Sequence, residues 1–145
     1  MQAGTVEFHH GMSDKLAYAQ RLVRKAYRAG ARVVVTGEAV TLRALDQQLW
    51  VADEQDFIPH VLDAAEGLPP RLHATPVWLT TTPDKVPPGH TVLINLGDQV
   101  PEGLGGFQRL FEIVTHNPGD RQQGRARWKA YQAMGWDVRP HEVAA

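Results

Sequence analysis

One stretch, Arg32-Val33-Val34-Val35-Thr36, constrains this chain more than any other. A β-branched run without polar alternation suits a strand that is covered on both of its faces. It follows an amphipathic helix. Leu16, Ala19, Leu22, Val23, Ala26 and Tyr27 recur at helical spacing, while Lys15, Arg21, Arg24, Lys25 and Arg28 lie mostly off that stripe. Ser13 stands where an N-cap is expected, and Gly30 closes the helix. Ahead of it, Thr5-Val6-Glu7-Phe8-His9 alternates like a first strand.

A second helix is expected from Ala39 to Trp50 with Val40, Leu42, Leu45 and Leu49 as its apolar positions. Leu68-Pro69-Pro70 and Val86-Pro87-Pro88-Gly89 read as loops, and Val77-Trp78-Leu79 and Val92-Leu93-Ile94-Asn95-Leu96 as short strands. The segment Phe107 to Val114 is expected to begin helically and finish as a strand at Glu112-Ile113-Val114-Thr115, with Pro118 stopping it. A last helix spans about Asp120 to Met134 and closes at Gly135, ahead of an extended Trp136-Asp137-Val138-Arg139. This order predicts one Rossmann-like three-layer α/β domain over residues 1–145, a mainly parallel twisted sheet with helices on both faces.

At 145 residues the chain has enough length for one complete core, burying roughly 68 to 70% of its unfolded surface. It contains no cysteine, which removes disulfides, thiolate nucleophiles and thiolate-held zinc, and fits a reducing cytoplasm. No export signal or run of 18 apolar residues is visible, so a soluble cytoplasmic protein is expected. The turn Thr36-Gly37-Glu38-Ala39 carries one glycine where a dinucleotide fingerprint has three, and no phosphate loop of the Walker type occurs. His9 and His10 are adjacent and would face opposite sides of a strand. His60, His73, His90, His116 and His141 lack metal-ligand spacing. No nucleophile elbow or paired carboxylates suggest hydrolysis, so the chain reads as non-catalytic, without metal or cofactor.

Charge is unevenly spread behind a net value of only −1. Between Glu38 and Glu66 seven acids stand against Arg43, and between Arg121 and Arg139 five bases stand against Asp137, so the two regions should prefer different partners. Within the acidic region, Trp50 and Phe57-Ile58-Pro59-His60 bracket a polar loop, an arrangement that suits docking of another protein. The competing assignment closes one end of the core with Trp50 and Phe57. Within the basic region Arg125, Trp128, Lys129 and Gln132 share a helix face, while Ala126, Ala130, Ala133 and Met134 form a smoother stripe suited to the core. Two cations beside an indole suit a ligand ending in an apolar side chain and a free carboxylate. Stacking on a single-stranded base, as in a direct nucleic-acid-binding module, and inward packing of Trp128 are the alternatives.

Several of these pieces in this order resemble the chi subunit of bacterial DNA polymerase III. They are the first helix ending at Gly30, Leu45-Asp46 and Leu49-Trp50 leading to Phe57-Ile58-Pro59-His60, Gly89-His90 before Leu93-Ile94-Asn95-Leu96, then Arg121, Arg125, Trp128-Lys129, Tyr131 and Gly135-Trp136. The likeness runs from about Thr5 to Val138, and the Trp50 to His60 block is its specific part. It implies a Rossmann-like, non-catalytic adaptor in DNA replication, bacterial and cytoplasmic. In that family the psi subunit of the clamp-loader complex packs where this chain has Trp50, Phe57 and Pro59. The acidic, phenylalanine-ended tail of single-stranded DNA-binding protein docks where it has Arg125, Trp128 and Lys129. The resemblance leaves room for a helicase that competes for the psi surface, and for contact with nucleic acid only through these partners. Trp128 stands where the family commonly has a smaller aromatic, and His116-Asn117 is more polar than its usual pattern.

Overall fold

The computed structural model describes residues 4–51, 58–63, 68–86 and 88–143. In chain order the elements are β1 (Thr5–Met12), α1 (Lys15–Arg28), β2 (Val33–Thr36), α2 (Ala39–Val51), β3 (His60–Leu62), β4 (Val77–Leu79), β5 (Val92–Asn95), β6 (Arg109–Thr115), α3 (Pro118–Ala133) and β7 (Asp137–Glu142). Short 3-10 turns at Pro70–Leu72, Pro83–Lys85 and Leu104–Gly106 punctuate the connections. The strands form one sheet in the order β3-β4-β2-β5-β6-β1-β7, and every neighbouring pair is parallel.

Alternation along the strands divides the core in two. Val33, Val35, Val92, Ile94, Phe111 and Ile113 meet Ala19, Leu22 and Val23 of α1 and Leu42, Leu45 and Leu49 of α2. Val6, Phe8, Val34, Leu93, Leu110 and Val114 pack on the other face with Tyr131 of α3, Trp136 and the turn residues Leu104 and Phe107. All four residues of β2 are buried, as expected of a strand covered on both sides. The fold is therefore the Rossmann-like three-layer arrangement.

Local details depart from the sequence expectations for identifiable reasons. Asp14 caps α1 in place of Ser13, its carboxylate accepting from the Ala17 N–H at 3.1 Å, and Gly30 at φ +87° completes the helix end. Val40 is 62% exposed because it lies off the side of α2 that carries Leu42, Leu45 and Leu49. The stretch before β6 is a 3-10 turn, and β6 is extended from Arg109 onward with Leu110 through Val114 buried on both faces. Pro118 opens α3 at its first position, where its missing N–H is harmless. The Asn117 side chain caps that helix by accepting from Gly119 and Asp120.

The largest departure concerns which side of α3 faces the sheet. Ala126 and Ala133 are exposed, Ala130 is half-buried and Met134 is 52% exposed, whereas Gly124, Arg127 and Tyr131 are buried. A buried charge explains the choice. Glu112, at the centre of β6 and fully buried, accepts from Arg127 Nε at 2.9 Å, Tyr131 OH at 2.6 Å and Asn95 Nδ2 at 2.8 Å. Arg127 Nη1 also donates to the Asp98 carbonyl at 3.1 Å. Burial holds the Glu112 carboxyl above the usual range, against the opposing Arg127 charge and the three donors. Burial and the Glu112 charge push the Tyr131 phenol up, keeping it a donor.

Removing one partner of a buried ion pair leaves the other charge uncompensated. Arg127→Ala should therefore cost on the order of 3 kcal/mol in urea unfolding. Arg139→Ala, which removes an exposed pair of 2.6 Å with Asp137, should leave the unfolding midpoint unchanged.

Candidate interaction sites

The amino half of α3 crosses the carboxyl end of β6 at close range, because position 124 is glycine. A Cβ there would lie 2.8 Å from Val114 Cγ2. Asp120 fixes the approach. Its carboxylate accepts from the Thr115 N–H at 2.7 Å and hydroxyl at 3.0 Å, and pairs with Lys15 at 3.1 Å, tying α3 to β6 and to the start of α1. Partial burial works the other way, yet the Thr115 N–H and the Lys15 ammonium hold the Asp120 carboxyl below the usual range.

Beside this anchor lies a hollow of about 400 Å³, walled by Phe8, His10 and Gly11 of β1, Val114 and Thr115 of β6, and Arg121, Arg125 and Trp128 of α3. Pro140 and Glu142 of β7 and His116 complete its rim. Trp128 is half-buried, its ring 5.0 Å from that of Phe8, so one edge belongs to the core while the residue still lines the hollow. Trp128 therefore packs partly inward and partly lines the hollow.

The five bases of this region separate. Arg127 is buried in its ion pair, Arg139 pairs with Asp137, Arg121 and Arg125 line the hollow, and Lys129 is exposed outside its lining. Helical spacing placed Arg125, Trp128, Lys129 and Gln132 on one broad face, and the structure brings only Arg125 and Trp128 of these four into the hollow. Arg121, one turn before Arg125, could have been added by the same spacing.

At the far edge of the sheet Trp50 lies in the last turn of α2 and is 51% exposed, so it does not close the core. Its ring lies 4.6 Å from that of His60, the first residue of β3. His60 is buried, donates from Nδ1 to the Ile58 carbonyl at 2.6 Å and sets Nε2 3.1 Å from Asp46 Oδ1. The Asp46, His60 and Trp50 stack thus presents the indole outward from a supported base. Pro59 is half-buried next to it, and Phe57 lies outside the described residues.

The crevice at the carboxyl ends of β2 and β5, where a sheet of this class would hold a nucleotide, is lined by Glu38, Asp84, Asp98 and Glu102. No lysine or arginine is among its described lining residues, and four carboxylates repel a phosphate. Among the described residues no group of three potential ligands could hold a metal ion, and no helix is long and apolar enough to cross a membrane.

A parallel three-layer sheet with an acidic carboxyl-end crevice and open hollows elsewhere defines a Rossmann-like α/β domain of the kind that lacks a phosphate loop. Within that class, the chain belongs to the family described as DNA polymerase III chi subunit, HolC, whose model matches residues 4–139. It is 31% identical over 134 residues to the DNA polymerase III subunit chi of Pseudomonas aeruginosa, covering 90% of this chain and 88% of that protein. It is 28% identical to the Escherichia coli subunit chi, covering 86% of each, and 26% identical to that of Haemophilus influenzae, covering 86% and 85%. Membership makes it an accessory subunit in DNA replication.

Because the folded-state carboxyl of Asp120 is the more acidic, its stabilising contribution is complete above the ordinary aspartate value of 3.8 and fades as pH falls through the lower folded value. Asp120→Ala should thus lower stability by about 1 to 2 kcal/mol at pH 7. The gap between the thermal melts of variant and wild type should narrow as pH falls below the ordinary aspartate value of 3.8.

Proposed function

We propose that this chain is a non-catalytic adaptor that joins the psi subunit of the clamp-loader complex to the C-terminal tail of single-stranded DNA-binding protein. The observation that carries the reading is the separation of two unlike surfaces on one rigid sheet. The exposed Trp50 stack sits at the β3 edge, and the cationic hollow opens beside β1 and β7. From β3 to β1 are five strand intervals, about 24 Å, so two partners can sit on the domain without touching.

The hollow suits the tail chemically. Arg125 and Arg121 offer planar forks for a terminal carboxylate and neighbouring acids, and Trp128 with Phe8 and Val114 receives an aromatic end. Lys129, outside the lining, acts on an acidic tail through long-range attraction. On the opposite edge, Trp50 and Pro59 offer the apolar ground for psi, and a helicase that used the same ground would exclude it.

Calorimetric titration with a peptide ending in the acidic, phenylalanine-terminated tail should give a one-to-one isotherm that weakens with salt. Arg125→Ala should weaken it about tenfold, and Lys129→Ala by clearly less, with the Lys129 effect vanishing first as salt rises. Trp50→Ala should leave tail binding intact and cost about 2 kcal/mol at the psi interface. A silent titration, or tail binding lost with Trp50 and kept without Arg125, would remove the assignment.

A further inference from the structure

On the opposite face of the sheet from the tail hollow, a second hollow of about 430 Å³ lies between α1 and strands β1, β6 and β7. Arg21 and Lys25 of α1 and Arg109 of β6 border it, and Glu7 is the single carboxylate among the described lining residues. His9 and His141 lie on neighbouring strands with ring centroids 4.4 Å apart. Aromatic rings stand beside the cations. The Arg109 guanidinium is 5.0 Å from the centre of the Phe111 ring and the Arg21 guanidinium 5.8 Å from that of Tyr18.

Two features distinguish this place from an ordinary basic surface. First, three fixed cations face one carboxylate, and that carboxylate is shared, 3.6 Å from both Arg109 Nη2 and His9 Nε2. Second, His9 is only 6% exposed yet lines the hollow, and its Nε2 has no hydrogen-bond partner among the described residues, while Nδ1 is taken by the Tyr18 hydroxyl. The nearest acceptor, Glu7, stands 3.6 Å from this nitrogen and is shared with Arg109, which leaves room for a closer anionic acceptor.

We propose that this hollow is a phosphate-binding site, in which Arg21, Lys25 and Arg109 hold the phosphoryl oxygens and the exposed His141 ring, backed by His9, lies beneath an attached base. The excess of fixed charge suits a dianionic phosphate or two successive phosphodiesters better than one carboxylate. The exposed His141 ring supplies a stacking surface of the kind a nucleobase uses. A free nucleotide and a stretch of single-stranded DNA share this chemistry. The site is independent of the tail hollow, which lies across the sheet and uses Arg121 and Arg125.

The groups facing His9 are Glu7 on its own strand, Tyr18, Arg21 and Lys25 from α1, Arg109 from β6 and His141 from β7. Burial, then the His141 and Lys25 charges, lower its basicity against the pull of Glu7. A bound phosphate reverses the sign of that surrounding field, so binding should favour the protonated form of His9.

The test uses the free full-length chain, followed by NMR of its histidine side chains during titration with thymidine monophosphate, inorganic phosphate or an eight-residue oligothymidylate. Thymidine monophosphate should move the His9 and His141 signals and shift the His9 titration to higher pH in the complex. Arg21→Glu and Lys25→Glu, both exposed on α1, should each weaken it at least about tenfold, and Arg125→Glu should not. An oligonucleotide that binds more tightly than the monomer at the same signals identifies the strand as the source, and equal or weaker binding identifies the nucleotide. Unmoved histidine signals at saturating probe, wild-type affinity in both α1 variants, or loss of affinity in Arg125→Glu would overturn the proposal.

Discussion

Much of this molecule depends on one buried carboxylate. Glu112 lies in the middle of β6, where the sheet is covered on both sides, and an ionisable group there is tolerable only with donors on every side. Asn95 comes from the neighbouring strand, and Arg127 and Tyr131 come from α3. Since Arg127 and Tyr131 are four residues apart, the requirement fixes the rotation of the helix about its axis. That rotation carries Trp128 to the edge of the core and turns Arg121 and Arg125 toward the hollow.

The same cluster explains what was legible in the sequence. The sheet was readable because its signals are local: a β-branched run at Val33 to Thr36, an amphipathic stripe on α1, and prolines that break the middle of the chain. The orientation of α3 was not, because hydrophobicity ranks alanine above arginine for the core, and only the partner on β6 reverses that order. A glutamate between Phe111 and Ile113 in an otherwise apolar strand was the available sign. The exposed Trp50 and the place of Arg125 and Trp128 beside one hollow were within reach of pattern reading, whereas the exclusion of Lys129 from it depends on helix rotation. The three-residue strand β3 escaped notice because so short a segment after a proline carries almost no periodicity.

A net charge near zero conceals a strongly polarised surface. Carboxylates gather around the carboxyl-end crevice, and cations border hollows on both sides of the β1 and β7 end of the sheet. Such an arrangement steers an anionic ligand to one end of the domain and turns it away from the place where related folds keep nucleotides. The chain retains the architecture of a nucleotide-binding sheet while the electrostatics of its central crevice have been inverted.

Strand β7 ends the sheet and pairs on one side only, with β1. Its outward margin is a template on which a second chain could zip, a hazard for any protein crowded with copies of itself. Pro140 in its middle can donate no hydrogen bond, and Asp137, Arg139, His141 and Glu142 surround it with ionisable groups. The strand that borders the two hollows thus carries, in its own sequence, features that oppose edge-to-edge pairing beside them.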